Sequence, residues 1–292
     1  MAPRPNNSPL IVIVGETAAG KSALAMALAE QCNGEIISAD SWTVYKGFDI
    51  GTAKPTTAEQ ARVPHHLLDV ADASQGFSAA VFKRLASNAI DEVSARGKLP
   101  ILVGGTGLYI DSILYDYQFL PEPPVGLRQE LSLLSLDELL QKAEELGLAT
   151  DMIDIRNKRR VMRLIENNGV QPLKHGLRSN TLVMGLRITP EKLQANIEAR
   201  VQAMIDAGLE GEVSHLAELY EWDTEPMKGI GYREFKPYIE GTQSLAQSQQ
   251  QIIQNTLALA KKQRTWFQRN KSIHWFDKQA KAVAYATTFL NK

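Results

Sequence analysis

The chain has 292 residues, 44% of them hydrophobic, and 32 Lys and Arg against 33 Asp and Glu. That is enough apolar material for a large globular core, and the balanced charge excludes a uniformly basic surface, so any nucleic-acid contact must be local. The single cysteine, Cys32, excludes an intrachain disulfide and a Cys-rich zinc site, and reads as a small residue near the end of the first helix. No run approaches the ~18 apolar residues of a membrane span. The first nine residues, Met1 to Pro9, are polar and Pro-rich without an apolar signal region, so a soluble cytoplasmic protein is expected.

The first element is the apolar strand Leu10–Val14, which runs into Gly15-Glu16-Thr17-Ala18-Ala19-Gly20-Lys21-Ser22 and then the helix former Ala23 to Ala29. This is a complete G-x-x-x-x-G-K-[ST] loop in the strand–turn–helix setting it requires. Its glycines let backbone N–H groups face an anion, and the helix start adds partial positive charge. Lys21 neutralises phosphate oxygens, and the Ser22 hydroxyl reaches Mg²⁺. The motif implies a bound di- or triphosphate and does not say whether that group belongs to ATP.

A second strand, Glu35–Ala39, ends at Asp40-Ser41. In open α/β sheets ligands sit at strand carboxyl ends, so Asp40 is a general base, a Mg²⁺ ligand or a helix N-cap. The segment Tyr45 to Pro55 forms a long loop carrying Gly, Lys and an aromatic, and His65-His66 after it reads as structural. The helical pattern Ser78–Arg96 leads to the strand Pro100–Val103 and to Gly104-Gly105-Thr106-Gly107-Leu108-Tyr109, either a close approach to ligand or a tight turn capped by Thr106.

Residues 117–180 differ. They open with Pro121-Glu122-Pro123-Pro124 and then read as helix through Leu136–Leu140 and Ile153–Asn168, with no strand until Thr181. On a helix Arg156, Arg160 and Arg163 share one face, opposite Val161, Leu164, Ile165 and Asn168. A guanidinium stripe suits a phosphodiester backbone, although a solvated charged face has the same pattern. The chain continues with the strands Thr181–Ile188 and Ile273–Phe276 and the helices Pro190–Ala207, Glu210–Leu219 and Gln247–Arg269. In Lys261 to Lys271, five cations accompany Trp266 and Phe267, which read as core residues of an amphipathic helix. Gly229-Ile230-Gly231-Tyr232-Arg233 offers Arg233 as a clamp on phosphate. The alternation predicts an α/β fold, a P-loop NTPase-like parallel sheet core (1–116 and 181–292) with a mostly helical insertion domain (117–180).

Taken together these segments resemble the tRNA dimethylallyltransferase (IPP transferase) family. The resemblance rests on Gly15–Ser22, Ala39-Asp40-Ser41, Asp49-Ile50-Gly51-Thr52-Ala53-Lys54-Pro55, Pro64 to Asp69 and Leu102 to Tyr109. It continues through Asn157 to Arg163, Gly229 to Arg233 and Lys262 to Phe267. It implies transfer of a dimethylallyl group from dimethylallyl diphosphate to N6 of adenosine 37 in tRNAs reading codons that begin with U. The phosphate loop, Gly15, Glu16, Thr17, Ala18, Ala19, Gly20, Lys21 and Ser22, would hold the donor diphosphate with Mg²⁺ at Ser22, and Arg233 would be the second diphosphate contact. Asp40 would take the N6 proton and Thr106 would position the reacting groups. Asp40, Ser41, Trp42, Thr43, Arg159, Arg160, Val161, Met162 and Arg163 would contact tRNA. A cytoplasmic monomer of bacterial type is expected, with no zinc finger and a shortened insertion. Glu16 stands where many members carry Pro, and Thr43 in place of a frequent Gln. A small-molecule kinase, a free-adenylate prenyltransferase and a phosphate-loop RNA-binding switch share parts of the pattern.

Overall fold

The computed structural model describes residues 8–121 and 123–291. The polar residues 1–7 and Glu122 of the Pro-rich turn lie outside that range. In chain order the elements are β1 (Leu10–Val14), α1 (Lys21–Cys32), β2 (Gly34–Ser38), α2 (Thr57–Arg62), β3 (His65–His66), α3 (Ala79–Ala95), β4 (Leu99–Gly104) and α4 (Gly107–Leu114). There follow α5 (Leu127–Leu133), α6 (Leu136–Glu145), α7 (Lys158–Glu166), β5 (Thr181–Leu186), α8 (Pro190–Asp206), α9 (Leu209–Leu219), α10 (Lys236–Ile239), α11 (Leu245–Phe267), β6 (Ile273–Phe276) and α12 (Gln279–Leu290).

The six strands form one parallel sheet in the order β3-β2-β4-β1-β5-β6. Both faces of a parallel sheet are covered, so its strands are apolar without alternation. Accordingly every residue of β1 is fully buried. On one face Ile11, Ile13, Ile101, Val103, Leu182 and Met184 pack against Leu24 and Leu28 of α1 and Ala282 and Ala286 of α12. The helices begin where short polar side chains cap them. Ser78 accepts from Val81 N, Thr189 precedes Pro190 and accepts from Lys192 N, and Ser244 forms a capping box with Gln247.

The short edge strand β3 is an element that His65-His66 did not announce. It forms because the buried Glu35 carboxylate gathers His66 Nε2 at 2.6 Å, Arg96 at 2.6 Å and Lys98 at 3.0 Å. Burial alone would raise the Glu35 pKa, but the bonds from His66, Lys98 and Arg96 outweigh it and hold the pKa down at about 2. The histidines are structural, as expected.

The chain divides into two compact units, Met1–Leu114 with Leu177–Lys292, and Tyr115–Gly176. The smaller unit thus begins two residues and ends four residues earlier than the expected 117–180. The smaller unit has its own core of Leu131, Leu139, Ala143, Val161, Leu164 and Ile165. No helix among the described residues is long and apolar enough to cross a membrane.

Candidate active site

Register brings three loops to one level. Val14 pairs with Gly104 and Ser38 with Val103, so β1, β4 and β2 end side by side. The loop Gly15–Ser22, the Asp40-Ser41 turn and Thr106 leave the sheet together at its carboxyl edge. Gly20 caps α1 with φ 94°, a left-handed conformation that a side chain would strain.

The loop is held by side chains far away in sequence. Thr17 N–H donates to Gln263 Oε1 at 2.7 Å, Arg200 Nη1 donates to Thr17 Oγ1 at 3.1 Å, and Asn196 Nδ2 donates to the Ala18 carbonyl at 2.9 Å. Lys21 Nζ donates to the Glu16 carbonyl at 2.7 Å. Desolvation lowers the Lys21 pKa to about 8; Asp40 raises it, Arg200 presses it further down and Glu16 supports it. Burial also lowers the pKa of Arg200, with Asp40 as its counter-charge. Two cations thus stand desolvated beside an anion-ready helix start, a setting that favours an incoming polyanion.

Thr17, Asp40, Trp42, Gly51, Thr52 and Arg200 line a cleft whose apolar wall is built by Ile197, Val201 and Ile252. Asp40 Oδ1 accepts from Trp42 N–H at 2.9 Å, so Asp40 caps its own turn rather than a helix. Thr106 Oγ1 accepts from Ser41 N–H at 3.2 Å and lies within 3.4 Å of Ser41 Oγ, which ties it to the Asp40 turn.

The loop after Asp40 is long but fixed. Glu212 of α9 accepts the N–H groups of Asp49, Ile50 and Gly51 at 3.1, 2.8 and 3.0 Å and the Tyr232 hydroxyl at 2.8 Å. Lys54 bonds Asp49, Asp69 and the Tyr45 carbonyl from an almost fully buried position. A Cβ on Gly51 would stand 2.5 Å from the Tyr232 ring. The Asp-Ile-Gly-Thr-Ala-Lys-Pro and Gly-Ile-Gly-Tyr motifs are therefore two halves of one wall.

Several expected site residues are engaged elsewhere in this structure. Arg233 does not line this cleft. Its Nε donates to Glu234 at 2.8 Å, and it lines a separate recess with Glu221, Trp222, Asp223, Lys228 and Lys236. The cause is local: Glu234, buried to accept Gly231 N–H and Asn255 Nδ2, draws its neighbour's guanidinium. Arg200, by contrast, lines the cleft beside Thr17. A signal for it exists in the sequence, since Ile197, Arg200 and Val201 fall on one helix face. Glu16 is buried and its carboxylate pairs with Arg264. Thr43 is 5% exposed and its hydroxyl shares a 3.0 Å hydrogen bond with Ser38 Oγ.

In the smaller unit α7 starts only at Lys158, so Arg156 is not on its face and bonds Asp154 at 3.0 Å instead. Asn168 lies beyond the helix end at φ 49° and is exposed. Val161 is fully buried in the unit's core and Met162 packs against it, so Val161 faces no partner. Arg163 bonds Glu166 at 3.2 Å, while Arg159 and Arg160 are exposed. Among the described residues no group of three His, Cys, Asp or Glu is arranged to hold a metal. The oxygen donor at the loop is Ser22, exposed in the first turn of α1. That suits an ion such as Mg²⁺, which keeps several waters and shares itself with substrate phosphates.

A family model described as IPP transferase matches residues 43–270. The chain belongs to the IPP transferase family. It is 42% identical to a tRNA dimethylallyltransferase of Anoxybacillus flavithermus, over 92% of this chain and 90% of the relative. With the enzyme of the same name from Bacillus subtilis it shares 39% identity, over 92% and 90%. Among solved structures it superposes on a tRNA isopentenylpyrophosphate transferase from Bacillus halodurans with TM-score 0.75 and 35% identity, covering 97% of this chain and 95% of that one. A eukaryotic dimethylallyltransferase acting on tRNA gives TM-score 0.83 at 26% identity, covering 97% and 80%. The sheet and its phosphate loop are thus those of a P-loop NTPase-like prenyltransferase family.

Proposed function

We propose that this protein transfers the dimethylallyl group of dimethylallyl diphosphate to N6 of adenosine 37 in tRNAs reading codons that begin with U, as a cytoplasmic monomer. The carrying observation is that Arg200 and the carboxylate of Asp40 line one cleft, with the buried Lys21 of the phosphate loop electrostatically coupled to both.

The exocyclic amine of adenine is a poor nucleophile, so the transfer depends on stabilising the leaving diphosphate and on close placement. The cradle formed by α1's first amides, Lys21 and Arg200 receives the charge that develops as the C1–O bond of the donor breaks. N6 attacks C1 as that bond opens. Asp40 accepts the N6 proton, leaving N6-(dimethylallyl)adenosine and diphosphate. Thr106 steadies the Asp40 turn through Ser41. Trp42 and the wall at Gly51 and Thr52 enclose the extruded base, whose unstacking costs a few kcal/mol. Mg²⁺ bound at Ser22 would add positive charge on the diphosphate oxygens. Arg159 and Arg160 of α7 supply exposed charge for the tRNA backbone.

The test is incubation of purified protein with undermodified tRNA, dimethylallyl diphosphate and Mg²⁺ and no ATP, followed by mass spectrometry of the nucleosides. Dimethylallyl addition at adenosine 37 is expected. An absolute requirement for ATP, or AMP serving as well as tRNA, would overturn the reading.

A further inference from the structure

One side chain joins the two halves of the site. Gln263, in the last turns of α11, accepts the Thr17 N–H through Oε1 at 2.7 Å and donates from Nε2 to the Gly105 carbonyl at 3.2 Å. The amide orientation is forced, because Thr17 offers a donor and Gly105 an acceptor. Thr17 also receives Arg200, and Thr106, next to Gly105, holds Ser41 beside Asp40. A continuous line of contacts thus runs from the diphosphate cradle through Gln263 to the turn of the proposed base.

The surroundings leave this bridge no slack. A Cβ on Gly105 would stand 2.2 Å from Gln263 Nε2, and one on Gly107 would stand 2.4 Å from the Trp266 ring. Both glycines therefore admit side chains of α11 rather than a ligand. The helix is secured independently by the Arg264–Glu16 pair and by Trp266 Nε1 donating to Asp111 Oδ2 at 3.0 Å. Gln263 is not needed to dock α11; what it adds is a fixed separation between the phosphate loop and the β4 end.

We propose that Gln263 is a positioning residue that sets the distance between the donor's leaving group and the acceptor-side turn, an inference that rests on the prenyl-transfer reading above. Both ends of the Gln263 amide are engaged by the protein itself. Its loss therefore acts on the rate of the bound complex, where a misplacement of about 1 Å costs on the order of 100-fold, and leaves the binding of each substrate nearly unchanged. Glu at this position keeps the acceptor for Thr17 but meets the Gly105 carbonyl without a donor. Asn is one methylene too short to reach both sides.

The experiment compares the full-length chain with Gln263→Glu, Gln263→Asn and Gln263→Ala. Single-turnover rates are measured with tRNA and dimethylallyl diphosphate prebound, the dissociation constant of each substrate separately, and the reacting fraction from the burst amplitude. Expected is a rate loss of about 30- to 100-fold for Gln263→Ala and Gln263→Asn and a smaller one for Gln263→Glu, with both dissociation constants within about threefold of the unaltered chain. Two outcomes overturn the proposal: an unchanged rate per reacting molecule with only the burst amplitude reduced, or a rate loss fully matched by weaker donor binding. If Gln263→Ala does not fold, the nearly isosteric Gln263→Glu decides alone. Failure of the prenyl-transfer reading shows separately, as no transfer by the unaltered chain.

Discussion

The phosphate loop and helix α7 are two cationic regions of the molecule, and they hold charge in opposite ways. At the loop, Lys21 and Arg200 are desolvated, each with its pKa pulled down by burial, and each is fastened to a backbone carbonyl or a threonine hydroxyl. On α7, Arg159 and Arg160 stand in solvent above a core of Val161, Leu164 and Ile165, and Arg163 is tied to Glu166. A small, multiply charged anion favours fixed cations in a low dielectric. A long polyanion is bound by mobile surface charge that releases counterions.

That contrast can be broken by substitution. The largest effect is expected for Asp40→Asn, which removes the proton acceptor beside the loop while keeping the Trp42 turn bond: the transfer rate falls by about 10²- to 10⁴-fold with tRNA affinity nearly intact. If tRNA binding collapses in parallel, Asp40 is a contact and not a base. Arg200→Ala should come next, with a loss in kcat/KM for the donor of about 10²-fold. The same change at Arg233, which lines a separate recess, should leave the donor KM within about twofold; the reverse order would return the second diphosphate contact to Arg233.

On the other side of the comparison, Arg159→Glu with Arg160→Glu should weaken tRNA binding about tenfold or more at moderate salt and reduce the magnitude of its salt slope by about 2, with donor binding unaffected. Filter binding over a salt series reads this out, and an unchanged slope would assign α7 to plain solvation. The smallest effect concerns pH. On the proposed reading the Lys21 ammonium, held at a pKa of about 8, is the form that would bind diphosphate, so donor affinity should be full below pH 8 and weaken above it. The donor dissociation constant should rise by up to about tenfold per pH unit above 8, and Lys21→Arg should flatten the profile. A flat profile in the unaltered chain would mean that Lys21 keeps its proton there.

The regions legible in the sequence are those whose chemistry is local. Gly15–Ser22 is a contiguous motif between a strand and a helix, and β1, β4 and most of β5 are apolar runs, so the loop and the centre of the sheet needed no tertiary information. The α7 core positions Val161 and Leu164 followed from helical spacing in the same way, whereas the helix start at Lys158 did not, because Asp154 takes Arg156 away from the stripe. For Arg233 the sequence offered a glycine turn before an arginine, but not that Glu234 holds its guanidinium.

The amino-acid sequence alone determined that the chain folds as a parallel α/β sheet around a phosphate loop with a helical insertion, and the combination of motifs pointed to the prenyltransferase family. Tertiary structure decided which distant side chains serve that loop. Arg200, Gln263 and Arg264 lie between 183 and 248 residues from their partners at Thr17 and Glu16. Periodicity tells which face of a helix turns inward, but only the packing of α8 and α11 tells what that face meets.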